Sequence, residues 1–210
     1  MRPLATSLLF LFAASAPVLA CTDTQINGGT MSFVYSQVGG GPISGSFLSD
    51  GDLQLDPPNM GTAAATYTLD GLEYLVVVGG FDNGTSFTDV SVIIVRGAVA
   101  PGPGPYAFDG ANAFFFFVDD ASGYDVPADI CTTNWTLELV GAVAAGKYGV
   151  TSGLLTFDTV SSTSVTGTFS GTAIDPNTFT TLLISNGEFN VQGSTSVDAA
   201  SWGGVKSAYR

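Results

Sequence analysis

The chain has 210 residues, 45% of them apolar, 11% charged and 27 of them glycine. That composition suits one apolar-cored domain with a leader and excludes a charge-rich disordered chain. Eighteen acids against five bases leave a net charge of −13, with no histidine; this excludes nucleic acid as a partner and removes the usual general base and the commonest metal ligand.

Residues 1–20 read as a secretion signal. Arg2 supplies the positive start, Leu8–Ala14 the short apolar stretch, and small residues follow Pro17. The apolar stretch is too short to span a membrane, which takes about 20 residues. Val18-Leu19-Ala20-Cys21 resembles a bacterial lipobox. In such signals the cysteine becomes the first mature residue and carries lipid, so Cys21 is the candidate lipidation site. An ordinary signal cut after Ala20 is the alternative. In that case Cys21 could form a disulfide with Cys131 in an oxidising compartment. The two outcomes exclude each other. Removing the leader takes Arg2 and no acid, leaving a mature charge of −14.

Residues 21–30 are small and polar and read as an N-terminal tether. From Met31 to Gln192 strand patterns recur between turn signals, so 31–192 is expected to be a single all-β domain. Met31–Gln37 alternates, and Ile43–Leu48 follows a Gly39–Pro42 turn. Ser49–Gly61 is an acidic loop. Asp70-Gly71 suits a type I′ hairpin between Ala63–Leu69 and Glu73–Val78. Val90–Val95 precedes a Pro101–Pro105 loop. Tyr106–Phe108, Ala113–Val118, Trp135–Val140, Leu154–Phe157, Val165–Phe169, Phe179–Ile184 and Glu188–Gln192 complete the strands. Asn186-Gly187 is expected as a second type I′ turn, joining the last two. About a dozen short strands imply an antiparallel β-sandwich, with a lipocalin-like β-barrel as the alternative. Residues 193–210 read as a loosely ordered C-terminal tail.

Two fragments are alike, Ile43-Ser44-Gly45-Ser46-Phe47 and Val165-Thr166-Gly167-Thr168-Phe169. A mid-strand glycine lets a neighbouring backbone or ring press close. Phe33, Phe169 and Phe189 are expected in the core.

The second half resembles a family of bacterial envelope lipoproteins described as DUF6252-like. The pieces that carry the resemblance are Gly146-Lys147-Tyr148, Ser152–Asp158, Val165–Phe169 and Ile184–Asn190, in order over Gly146 to Val191. The resemblance implies an all-β lipoprotein domain and brings over no catalytic residue.

Candidate chemistry is sparse. Asp50, Asp52 and Asp56 cluster around Gly51, and Asp119, Asp120, Asp125 and Asp129 surround Gly123. Calcium is the one cofactor these acidic loops suggest, although neither has EF-hand order and a solvated turn is the plainer reading. Glu73, Glu138 and Glu188 all fall in predicted strands. The Phe114–Phe117 run sends two rings to each side of a strand. It belongs to a strand covered on both faces, or it leaves Phe115 and Phe117, with Trp135, as a binding surface.

The expected function is an exported, lipid-anchored envelope protein with a non-catalytic binding or structural role toward a protein, a glycan or an apolar ligand. Thr22 after Cys21 favours the outer membrane; a secreted or periplasmic soluble protein is the alternative location. The competing functions are a carboxylate-dependent carbohydrate-active enzyme, which needs two carboxylates about 5–10 Å apart in a cleft, and an apolar-ligand barrel with an enclosed cavity.

Overall fold

The computed structural model describes residues 25–53, 61–82, 88–119 and 148–193. Strands hold 74% of them, and no helix occurs among them. In chain order they are β1 (Gln25–Asn27), β2 (Gly29–Gln37), β3 (Ser44–Asp50), β4 (Gly61–Leu69), β5 (Leu72–Asp82) and β6 (Thr88–Gly97). There follow β7 (Gly104–Ala107), β8 (Ala113–Val118), β9 (Tyr148–Val160), β10 (Ser164–Ile174) and β11 (Thr181–Gln192). The strand expected at Trp135–Val140, the leader, Cys21, Cys131 and residues 194–210 lie outside the described residues.

All the strands belong to one antiparallel sheet in the order β1-β4-β5-β6-β8-β9-β10-β11-β2-β3, with β7 paired to β9. The sheet curls into a half-barrel. Among the described residues the two facing sheets of a sandwich are not seen, and the curl is consistent with the barrel alternative. Alternation reveals which side chains are buried. It does not reveal whether they meet a second sheet or the far wall of their own.

The curl is built at the start of the domain, where a tether was expected. Gln25–Thr30 is strand except for Gly28. β1 pairs with β4, and its continuation β2 pairs with β11 and β3. The chain bends between them at Gly28 and Gly29, with φ of 117° and 105°, a region that side-chain-bearing residues rarely adopt. One bent strand thus reaches both ends of the sheet. The end of β3 also meets β4: Thr62 N–H donates to Gly51 O at 2.9 Å, and the buried Ser49 and Thr62 hydroxyls lie 2.6 Å apart.

The concave interior is filled with aromatic rings. Phe33 lies 4.9 Å from Phe47, 5.2 Å from Phe117, 5.6 Å from Phe115 and 5.8 Å from Phe169, centroid to centroid. Phe189 joins them through Phe169 at 6.3 Å and meets Phe157 at 5.5 Å. Phe33, Phe169 and Phe189 are core residues, as their alternation predicts. Each such ring contributes roughly 1.5–3 kcal/mol by leaving water.

Large rings on a concave sheet need room, and glycine supplies it. Gly45 pairs with Tyr35, Gly167 with Phe189, and Gly187 with Phe169. A Cβ on Gly167 would stand 2.6 Å from Phe189 Cζ, and one on Gly45 2.6 Å from Tyr35 Cζ. The two look-alike fragments therefore share a physical role, a glycine beneath an aromatic of the next strand.

Candidate functional site

The predicted hairpin at Asp70-Gly71 forms as expected. Both residues have positive φ, 53° and 76°, and Leu69 faces Leu72 across it. Asn186-Gly187 behaves differently. Both residues lie inside the continuous strand β11 rather than between two strands. Asn186 takes φ of 52°, so the dipeptide's tolerance of the left-handed region makes a β-bulge here instead of a turn. The β10–β11 register shifts between Phe169 and Gly171, and the β11–β2 register between Ser185 and Glu188.

On the convex side this double irregularity opens a hollow of about 460 Å³. Its polar walls come from three adjacent strands. Thr156 of β9 faces Thr168 of β10, and Thr168 faces Glu188 of β11. One step along the strands, Leu154 faces Ser170, and Asn186 stands at the bulge. Phe169 and Gly187 also line the hollow. Cross-strand neighbours lie about 4.5–5.5 Å apart, so the three side chains of a row form a closely spaced set of hydrogen-bonding groups. The Glu188 carboxylate accepts a 3.3 Å bond from the Ser32 hydroxyl of β2, which extends the row by one strand.

The hollow carries no positive charge. Arg96 is the single basic residue among the described ones. It is engaged elsewhere, with its guanidinium 5.1 Å above the Phe114 ring and its Nε donating to Ala111 O at 2.9 Å.

A second, more apolar hollow of about 310 Å³ lies where β8 and β9 part, beside Phe114, Val150, Ile174 and Pro176. Among the described residues the β8–β9 ladder holds at two positions, Phe116–Gly149 and Phe117–Tyr148. Beyond them β9 turns to β7, and the β9–β10 register shifts again between Thr172 and Ala173. The loop from β7 to β8 is fixed by Asp109, whose carboxylate accepts the N–H groups of Ala111 and Asn112 at 2.8 Å each. Those bonds, Asn112's foremost, hold its carboxyl below the usual range. Burial pushes the Tyr148 phenol up, and the charges of Asp119 and Asp175 push the same way.

The residues singled out from the sequence scatter. Phe115 and Phe117 form no surface; both are buried among the interior rings, 1% and 0% exposed. They lie on the concave side, which alternation alone could not tell from the convex one. Trp135, Asp56, Asp120, Asp125, Asp129 and Glu138 lie outside the described residues. Asp50 and Asp52 are exposed at the end of β3. Among the described residues no group of three or more acidic, cysteine or histidine side chains could hold a metal ion. Glu73 accepts bonds from the Thr68 hydroxyl across the β4–β5 hairpin at 3.0 and 3.1 Å, and Glu188 is the one carboxylate lining the convex hollow.

Thr156, Thr168 and Ser170 were not singled out by sequence reasoning. Their signal was present. Each stands next to a core phenylalanine in an alternating strand, so it points the other way.

Among the described residues no helix is long and apolar enough to cross a membrane. No family model, curated protein or solved structure matches the chain.

Proposed function

We propose that this chain is an exported, lipid-anchored protein of the bacterial cell envelope, on the outer membrane, with a non-catalytic binding or structural role. In this reading the curled sheet is a small barrel, closed by the bent β1–β2 strand, and its convex polar face meets the partner. The observation that carries the reading is the ring-filled interior. With that space occupied, the groups among the described residues that are free to meet a partner are those on the convex side of β9, β10, β11, β2 and β3.

The anchor fits this arrangement. Cys21 precedes the first described strand residue, Gln25, by four positions. Four extended residues reach at most about 14 Å, so a lipid on Cys21 would hold the barrel close to the bilayer. The pieces that resemble the envelope lipoprotein family fall largely on β9, β10 and β11, the strands that build the convex hollow. The carboxylate-enzyme alternative draws less support, since the hollow offers Glu188 without a second carboxylate in its lining.

The test is the mass and location of the mature protein. Lipid on Cys21 adds hundreds of daltons and sends the protein to the membrane fraction. Cys21→Ser should then appear in the soluble fraction, and the lipidated form should titrate with one free thiol, Cys131. An unmodified mass with a Cys21–Cys131 disulfide defeats the anchored reading.

A further inference from the structure

We propose that the convex hollow at the Asn186–Gly187 bulge binds a neutral saccharide. This rests on the binding role argued above and names the ligand class for it.

The hollow's chemistry selects against other ligands. An anion would find no basic residue in its lining and a protein of −13 net charge around it. A divalent cation would find one carboxylate where such ions take several oxygen ligands. An extended peptide adding to the sheet would need an open edge. β9, β10 and β11 are paired through this region with β7, with one another and with β2. An aliphatic ligand would leave hydroxyl, amide and carboxylate groups without water or partners, which is costly.

A neutral polyol satisfies each of these groups. The Glu188 carboxylate has two acceptor oxygens and can take two neighbouring sugar hydroxyls. Asn186 offers both a donor and an acceptor, and Thr156, Thr168 and Ser170 can each do either. Leu154, 51% exposed beside them, gives the C–H face of a sugar ring an apolar contact. The bulge supplies a second, independent observation. Asn186 is held at φ of 52° inside a strand, a conformation asparagine adopts more readily than most side-chain-bearing residues. Such bulges recur where a sheet re-aims a side chain toward a site.

The experiment is an NMR titration of the mature full chain carrying Cys21→Ser, with two neutral probes and one charged one. The neutral probes are a tetrasaccharide of N-acetylglucosamine and a tetrasaccharide of glucose; the charged one is a uronic-acid tetrasaccharide. At least one neutral probe should bind with a dissociation constant of about 1 mM, as befits a shallow site. The shifted amides should cluster at Thr156, Thr168, Ser170, Asn186 and Glu188. Glu188→Gln should weaken that binding about tenfold and Thr168→Val several-fold. Both positions are exposed, so spectra unchanged away from the hollow will show that the folds are intact. Phe179→Ala, on the β10–β11 turn, should bind like the parent. The proposal is overturned if neither neutral probe shifts these amides at about 20 mM, if the shifts lie on another face, or if the uronic probe binds as tightly. These outcomes are independent of the fractionation test. Saccharide binding by this variant together with an unmodified Cys21 in the parent would sink the anchor and keep the site; lipid on the parent's Cys21 without saccharide binding would do the reverse.

Discussion

The two walls of the curled sheet differ in how many faces they bury. In β4, β5, β6 and β8 both faces are apolar and buried. Ala64, Val77, Ile93 and Phe117 turn to the interior, while Ala65, Val76, Val92 and Phe116 form a second buried cluster on the convex side. In β9, β10, β11, β2 and β3 only the concave face is buried. The convex face there carries Thr168, Ser170, Glu188, Asn190 and Ser46, all exposed, with half-exposed Leu154, Leu183 and Leu48 among them. The two walls pair their strands alike and differ in what their outward residues are. Near-continuous apolar runs mark the wall buried on both sides, and alternation marks the wall with one face exposed.

Placing the same charge on the two convex faces is the strongest way to break this contrast. Val92 is 0% exposed and faces Val78 and Phe116, so Val92→Asp buries a carboxylate in the cluster that also holds Val90. The expected loss is about 4 kcal/mol or more, a large share of a domain's ordinary stability of about 5–15 kcal/mol. Thr168→Asp on the other wall should change stability by no more than about 0.5 kcal/mol. Urea unfolding of both variants decides the matter. Comparable losses would mean that the walls do not differ in the way described.

A middle-sized effect separates glycines that admit a ring from glycines in loops. A methyl on Gly167 meets Phe189 Cζ at 2.6 Å and the Thr156 carbonyl oxygen closer still. On Gly187 it meets the Phe169 carbonyl oxygen at 2.5 Å and its ring at 2.7 Å. Gly167→Ala and Gly187→Ala should each cost about 1–3 kcal/mol, the usual penalty for forcing volume into a filled core. Gly102, between β6 and β7, has nothing within 4 Å of the same point. Gly102→Ala should leave the melting temperature within a few degrees of the parent. Equal losses at all three would show that backbone freedom, and not ring packing, sets these positions.

These contrasts also explain what the sequence could and could not convey. Strand existence was legible because period-two alternation is a local property: Ala113–Val118 was read with the bounds it has in the structure. Asp70-Gly71 was legible for the same reason, since both flanking strands are contiguous with the turn. Asn186-Gly187 carried the identical signal and became a bulge, because a dipeptide that tolerates positive φ does not specify whether the chain reverses or continues. That choice depends on β10, whose Phe169 sits against Gly187. The Phe114–Phe117 run was read correctly as a strand able to be covered on both sides. Sandwich against curled sheet lay beyond local pattern, since Gly28 and Gly29 look like any loop until β4 and β11 are both found on the same bent strand. The hollow was the least legible part, because Thr156, Thr168 and Glu188 come together only through the pairing of three strands.

The smallest expected effect concerns a hydroxyl buried on the doubly covered wall. Tyr67 is 2% exposed and stacks on Tyr74, with ring centroids 5.1 Å apart and planes 3° from parallel. Its phenol oxygen is buried without a hydrogen-bond partner. Burial first, and the neighbouring Tyr74 second, push its pKa far above the ordinary phenol value. A raised native pKa means that the folded chain keeps a proton which the unfolded chain releases. The associated stability is therefore present below the unfolded pKa of about 10 and drains away above it, by at most about 1.4 kcal/mol per pH unit. Tyr67→Phe keeps the ring stack and removes both the unsatisfied hydroxyl and the ionisation. It should stabilise the protein by about 1 kcal/mol near neutral pH. Its advantage over the parent should widen in urea melts at about pH 11, because only the parent then ionises residue 67 on unfolding. A Phe variant that is less stable at neutral pH, or an advantage constant with pH, would show that this hydroxyl meets water and that the convex face of β4 is not closed.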